Sequence, residues 1–219
     1  MLSNKIFYQE GFSIMRKCKL LALLFLLIAT CPTPAFASAL PYGCEEPAVA
    51  IQTKCEDRAF PGQTIRFELC GIANKSGYVL EDFYIHDRLP TDAVRLKSLT
   101  TGRFNEMTYY KISYRTNLHD YKILAAKLLS TNNYELSLHP NVLGLSAGEY
   151  IKDIRFEFPR VYPGFKSVDN ISLFCEVMLN LPTGYSIVNR ADLGGYFRND
   201  LHSASASWKV KAGPSATVK

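Results

Sequence analysis

The sequence predicts an all-β protein, two antiparallel sheets packed face to face as a sandwich of about 8–9 strands. Three observations carry that expectation. Apolar and polar residues alternate with a period of two along most of the chain after residue 60. Turn signals rich in Pro and Gly interrupt the alternation at short intervals. The chain also holds 13 Tyr and 13 Phe, side chains that favour pleated backbone.

The elements follow in order. Pro61-Gly62 turns the chain into a strand in which Ile65, Phe67 and Leu69 alternate with Thr64, Arg66 and Glu68. Val79, Phe83 and Ile85 mark a second strand that ends at Leu89-Pro90. Ala93 to Thr100 is a third, closed by Thr101-Gly102, and the Tyr-rich run Met107 to Tyr114 is a fourth. Tyr121 to Leu129 has helical composition, although Lys122-Ile123-Leu124 fits a strand equally well. Tyr134 to Leu138 is a fifth strand, stopped by Pro140. Ile151, Ile154, Phe156 and Phe158 give a sixth. Ile171, Leu173, Cys175, Val177 and Leu179 form the clearest alternation of all. Pro182-Thr183-Gly184 leads into Tyr185 to Leu193, and Ser205 to Val210 closes an edge. No internal repeat or linker divides residues 38–219, so they are expected to form a single β-sandwich domain with a polar tail at Lys209 to Lys219.

Residues 1–37 are of another kind. Met15-Arg16-Lys17-Cys18-Lys19 precedes the apolar run Leu20 to Ala29, and Ala35-Phe36-Ala37 supplies a small-residue exit. This is the pattern of a secretory signal peptide, with Met15 an alternative start. The expectation is a secreted, extracellular protein, associated with the cell surface through contacts alone. No second apolar run is long enough for a transmembrane anchor in the mature chain. Removing Lys5, Arg16, Lys17 and Lys19 with Glu10 lowers Lys+Arg from 25 to 21 and Asp+Glu from 20 to 19. The net charge falls from +5 to +2, which argues against nucleic acid as a partner. Four cysteines remain after processing, Cys44, Cys55, Cys70 and Cys175. An even number in an exported chain points to disulfides, with three connectivities open.

Several short patterns lie in a telling order. Pro61-Gly62-Gln63-Thr64-Ile65 opens a polar–apolar strand, Asn74 stands near a turn, and Ile85, Asp87, Leu89 and Pro90 close the next strand. Gly148-Glu149 leads into a later strand, and Asn189-Arg190-Ala191 lies in a closing one. Over about residues 48–195 this resembles the bacterial cell-surface conserved-repeat family (domain of unknown function eleven). The resemblance implies an immunoglobulin-like sandwich on a bacterial surface, structural or adhesive and not enzymatic. Its partners would be cell-envelope or host surface components, protein or glycan. The chain departs from the family pattern in having one copy, no wall anchor and four mature cysteines.

Against that background, Cys70 and Cys175 are candidates for the inter-sheet bridge of immunoglobulin domains. Parity opposes this: Cys175 shares a face with Leu173 and Val177, whereas Cys70 shares one with Arg66 and Glu68. A bulge near Gly71 would be needed to turn Cys70 inward. Surface sandwiches can also carry an intramolecular isopeptide bond, which needs a buried uncharged Lys, an Asn and a protonated carboxyl. Lys54, Asn189 and either Glu68 or Asp87 are the candidates. Tyr109, Tyr110 and Tyr114 are candidates for a ligand face, since Tyr offers an apolar ring with a polar tip.

No cofactor or metal is expected. No Cys/His spacing fits zinc, and His86 and Asp87, as strand neighbours, point to opposite faces. Gly144-Leu145-Ser146-Ala147-Gly148 matches the hydrolase pattern G-x-S-x-G, with His202 downstream. The pattern needs a strand before the Ser and a helix after it, and Glu149 to Phe158 alternates as a strand. It is therefore expected to be a plain turn.

Overall fold

A computed structural model describes residues 48–214, within the compact unit Glu46–Lys219. The expected signal peptide and Cys44 lie outside the described residues. The elements are β1 (Val49–Lys54), β2 (Arg58–Ala59), β3 (Thr64–Asn74), β4 (Leu80–Arg88), β5 (Val94–Thr100), β6 (Tyr109–Thr116) and β7 (Lys122–Leu129). There follow β8 (Glu135–Ser137), the one-turn helix α1 (Pro140–Leu143), β9 (Ile151–Val161), β10 (Ile171–Val177), β11 (Ser186–Phe197) and β12 (Asp200–Ala212). They form an immunoglobulin-like all-β sandwich of two sheets. The five-stranded sheet runs β1-β3-β10-β5-β8 and the seven-stranded sheet β2-β12-β11-β4-β9-β6-β7. Pairing is antiparallel throughout, except where β2 runs parallel to β12.

The period-two pattern becomes the two faces of each strand. On β3, Ile65, Phe67 and Leu69 are fully buried while Thr64 and Arg66 are exposed. On β10, Leu173, Cys175 and Val177 meet them from the neighbouring strand. The inner face of the seven-stranded sheet contributes Phe83, Ile85, Ile154, Phe156, Phe158 and Leu193. Phe83, Phe158, Phe104 and Phe165 pack as an aromatic cluster, with ring centroids 4.9–6.0 Å apart. Phe104 and Phe165 come from loops, so the cluster ties two connections to the core.

A bulge lies at Gly71, where the Cys70–Cys175 bridge would have required one, although the bridge itself is not formed. Ala50 pairs with Ala73 but Gln52 pairs with Cys70, and Gly71 adopts φ +61°. Beyond it the inward phase moves from Ile65, Phe67 and Leu69 to Ile72 and Asn74. Tyr121 to Leu129 is a strand, not a helix: β7 pairs along β6 as the outermost strand of the larger sheet. Its helical composition is overridden because β6 offers an open ladder of backbone partners. Arg198 and Asn199 form the tip of the β11–β12 hairpin with φ +49° and +72°, as a two-residue type I′ turn requires.

Candidate functional site

Four of the motif residues behind the family resemblance, Asn74, Glu149, Asp87 and Asn189, prove to be internal fastenings. Asn74 is buried. Its Nδ2 donates to the Tyr78 and Tyr162 carbonyls at 3.1 Å each, and its Oδ1 accepts from the Ser76 N–H at 3.0 Å. Glu149 accepts from the Thr116 hydroxyl at 2.7 Å and from the Ser146 N–H at 3.0 Å. These bonds hold its carboxyl below the usual range, the backbone one first. The G-x-S-x-G stretch is therefore a turn braced by Glu149. Ser146 is exposed there, while His202 hydrogen-bonds Tyr78 on another part of the fold.

Asp87 and Asn189, taken from two separate motifs, meet in the core. Both are fully buried, and Asn189 Nδ2 donates to Asp87 Oδ2 at 2.7 Å. Burial pushes the Asp87 carboxyl up to about 7, against the smaller lowering effect of that hydrogen bond. Lys54 is not with them. It is exposed on β1, in register with Glu68, and Glu68 pairs with Arg66 at 3.3 Å. Among the described residues no lysine is buried. The isopeptide arrangement thus has its amide and its acid but lacks the uncharged amine.

The cysteine expectation is corrected. Cys55, Cys70 and Cys175 are free thiols, and each of the three connectivities requires a pair among them. Cys70 cannot bridge the sheets to Cys175, because β3 and β10 are neighbours in one sheet. Cys175 is in register with Ile65, five residues from Cys70 on β3. That is roughly 16 Å along the strand, against a Cα separation of at most about 7 Å in a disulfide. Burial raises both thiols, Cys175 far above its ordinary value. Burial first, then the hydrogen bond to Glu56, raises Cys55.

The expected tyrosine face is also corrected. Tyr110 and Tyr114 are buried in the core, Tyr110 stacking on Phe158 at 4.8 Å, and only Tyr109 is exposed. The reason is parity: residues 110, 112 and 114 share the inner face of β6.

A different tyrosine-lined groove lies on the outer face of the seven-stranded sheet. It has a volume of about 670 Å³ and crosses β11, β4, β9, β6 and β7. Tyr84 and Tyr196 line one end and Tyr109 the other, with Arg155, Glu157 and Lys111 between them. Tyr84 lies down over Gly194 of the neighbouring strand, where a Cβ would stand 3.0 Å from its hydroxyl and 3.1 Å from Cε1. The Arg155 guanidinium sits 4.8 Å from the Tyr84 ring centroid, a cation–π contact. Glu157 accepts from the Ser113 hydroxyl at 3.0 Å and lies 3.5 Å from Lys111 Nζ. Arg155 Nε is buried without a hydrogen-bond partner, its carboxylate neighbour Glu157 being 3.8 Å away.

Two backbone features mark the groove lining. Asp82 and Lys127, both in its lining, hold φ +47° and +56°. Each sits where a bulge shifts the register, Asp82 between β4 and β11 and Lys127 between β7 and β6. Sequence reading missed Tyr84, Tyr196 and Arg155. The available signals were the polar phase Tyr84-His86-Arg88 of a strand whose other phase carries Phe83 and Ile85, and a Gly194-Gly195 pair inside a strand, which marks close approach.

The same face continues into an ionic patch. His86 lies 3.4 Å from Asp153 and 3.6 Å from Asp192, Arg88 bonds Asp192 at 2.8 Å, and Arg115 bonds Asp153. These partners hold the Asp153 carboxyl below its usual range despite an opposing desolvation larger than any single one of them. His86 and Asp87 do face opposite ways. Among the described residues no three His, Cys, Asp or Glu side chains are placed to hold a metal ion.

No protein-family pattern and no characterised protein sequence matches the chain. Three solved structures are similar in fold. A cohesin module from a Clostridium perfringens family 33 glycoside hydrolase is 13% identical at a TM-score of 0.39, over 77% of this chain and 98% of that one. A collagen-binding domain from a Staphylococcus aureus adhesin is 13% identical at 0.33, over 74% and 96%. AvmM, which catalyses macrocyclisation in alchivemycin A biosynthesis, is 12% identical at 0.33, over 78% and 93%. These values are too low for any of the three to bear on function. The finding they accompany is the fold: a β-sandwich in which no helix of the described residues is long and apolar enough to cross a membrane.

Proposed function

We propose that the chain is a structural and adhesive module of a bacterial envelope, without enzymatic activity of its own. In this reading residues 1–37 direct export, residues 38–219 form the working domain, and the protein is secreted or held at the cell surface by contacts. The observation that supports it best is the groove on the outer face of the seven-stranded sheet. A rigid, doubly paired floor carries exposed aromatic rings beside interleaved charges, the composition of a recognition surface. The internal polar pairs, Asp87 with Asn189 and Glu149 with Thr116, belong to the structural half of the role, fixing the strands that carry the floor.

The test is retention of the purified exported chain on bacterial envelope fragments and on immobilised host matrix protein. Wild type is expected to bind one of these saturably, and a Tyr84→Ala, Tyr109→Ala double variant is expected to bind it at least about tenfold more weakly. Equal retention of the two proteins on both surfaces would remove the outer face from the role.

A further inference from the structure

We infer that the outer groove is a binding site for an extended, uncharged glycan of pyranose units, stacked on Tyr84, Tyr196 and Tyr109 and hydrogen-bonded by Arg155, Glu157 and Lys127. This inference rests on the adhesive reading above and gives its ligand a chemical class.

The lining selects that class. A pyranose ring has an apolar C–H face and a rim of hydroxyls, so it calls for flat aromatic surface next to both donors and acceptors. Tyrosine rings stand at both ends of the groove, Tyr109 and Tyr196 exposed and Tyr84 laid flat by Gly194. Between them Arg155, whose side chain is 37% exposed, brings guanidinium donors, and Glu157 brings a carboxylate already fixed by Ser113 and Lys111. A guanidinium and a carboxylate side by side offer donors and acceptors together. A hydroxyl rim, which both accepts and donates, completes Arg155 and Glu157 together.

The backbone points the same way. Of the four non-glycine residues with positive φ among the described residues, Arg198 and Asn199 are explained by their hairpin turn. The other two, Asp82 and Lys127, stand in the groove lining. Strained residues at bulges re-aim side chains, and they cluster at binding sites. Here one bulge lies towards the β4–β11 side of the groove and the other towards the β6–β7 side.

Two rival ligands fit less well. A peptide added as a strand would lie along the open edge of β7, whereas the rings and the Arg155–Glu157 pair stand on β11, β4, β9 and β6, each paired on both sides. A polyanion such as single-stranded nucleic acid needs a uniformly positive channel, whereas Asp82 and Glu157 place carboxylates among the cations.

The experiment is titration of the ¹⁵N-labelled exported chain with neutral oligosaccharides of four to six units, of the cello-, chito- and manno- series, followed by amide shifts. At least one series is expected to give saturable shifts confined to residues around Tyr84, Lys127 and Arg155. Tyr109→Ala, at an exposed position that leaves the core intact, is expected to weaken that binding by about tenfold. Tyr162→Ala, exposed but outside the groove, should leave it unchanged. Absence of shifts from every series, or shifts elsewhere on the molecule, would overturn the glycan assignment. If envelope or matrix retention still depends on Tyr84 and Tyr109 in that event, the adhesive reading stands with a protein ligand. If retention is also absent, both readings fall.

Discussion

The two faces of the seven-stranded sheet carry aspartates on adjacent strands, and the pair responds to its surroundings in opposite directions. Asp87 on β4 points into the sandwich, where a single amide, that of Asn189, is bonded to it, and burial drives its carboxyl up to about 7. Asp153 on β9 points outward and is nearly as hidden, yet His86 and Arg115 bond it and its carboxyl is held low. Burial alone therefore does not set the charge state. A carboxylate covered by cations stays ionised, whereas one surrounded by hydrocarbon keeps its proton. The inner face is built to be neutral and dry, and the outer face is built to hold charge beside exposed rings, which a surface that engages a partner needs.

The sharpest way to separate the faces is to cut neighbours on one strand. Phe83 points inward, against Phe158 at 6.0 Å and Phe165 at 5.6 Å, and Tyr84 points outward into the groove. Phe83→Ala is expected to cost about 3–5 kcal/mol and to lower Tm by on the order of 10 °C. Tyr84→Ala should cost about 1 kcal/mol or less. Equal losses in thermal or denaturant unfolding would mean that the outer rings belong to the core, and the contrast between the faces would collapse.

Titration gives the next largest effect. In the folded chain Asp87 keeps its proton to about pH 7, whereas unfolded it releases it near 3.8. The unfolded state thus binds fewer protons between those values, and stability falls as pH rises through that window. The contribution is fully present below about pH 4 and has gone above about pH 7, a loss of up to roughly 4 kcal/mol. Asp153 has the reverse sign: its stabilisation is present above its ordinary value near 3.8 and is lost as the solution is acidified below that. Urea unfolding from pH 4 to 8 should show a decline with pH, and Asp87→Asn should flatten it. A wild-type profile that rises over this range would mean that Asp87 is ionised in the core.

The contrast also explains what the sequence could and could not disclose. Inward phases of strands are long runs of apolar residues at every second position, so β3, β4, β9 and β10 were legible from Ile65, Phe67, Phe83, Ile85, Ile154 and Leu173. The Gly71 bulge was legible only as a condition of a Cys70–Cys175 bridge, and it is present without that bridge. The partnership of Asp87 and Asn189 was half legible, since both were singled out for a cross-link, but the core shows them hydrogen-bonded without Lys54. Tyr110 and Tyr114 were misread because counting tyrosines does not give their phase relative to the core. β7 was ambiguous because its residues are half-exposed at an edge and carry little periodicity. The groove was hidden for a deeper reason. Its residues come from five strands brought side by side by the β11-β4-β9-β6-β7 order, and no local pattern encodes that order.

The smallest of the expected effects tests how the groove floor is made. Gly194 sits on β11 directly under Tyr84, and a Cβ there would stand 2.9 Å from the His202 carbonyl and 3.0 Å from the Tyr84 hydroxyl. The carbonyl belongs to the β11–β12 ladder and moves little, whereas the tyrosine is the free end of a side chain. Gly194→Ala should therefore cost about 1–2 kcal/mol through crowding while lifting Tyr84 off the sheet. Lifting it would loosen the Arg155 contact, now at 4.8 Å. The expected signature is a changed near-ultraviolet tyrosine signal and altered amide shifts at residues 84 and 155, with the Asp87-dependent pH profile retained. A variant with unchanged tyrosine signal and full stability would show that Tyr84 already stands clear of β11. The floor would then be the backbone of β9 and β4, not a phenol ring.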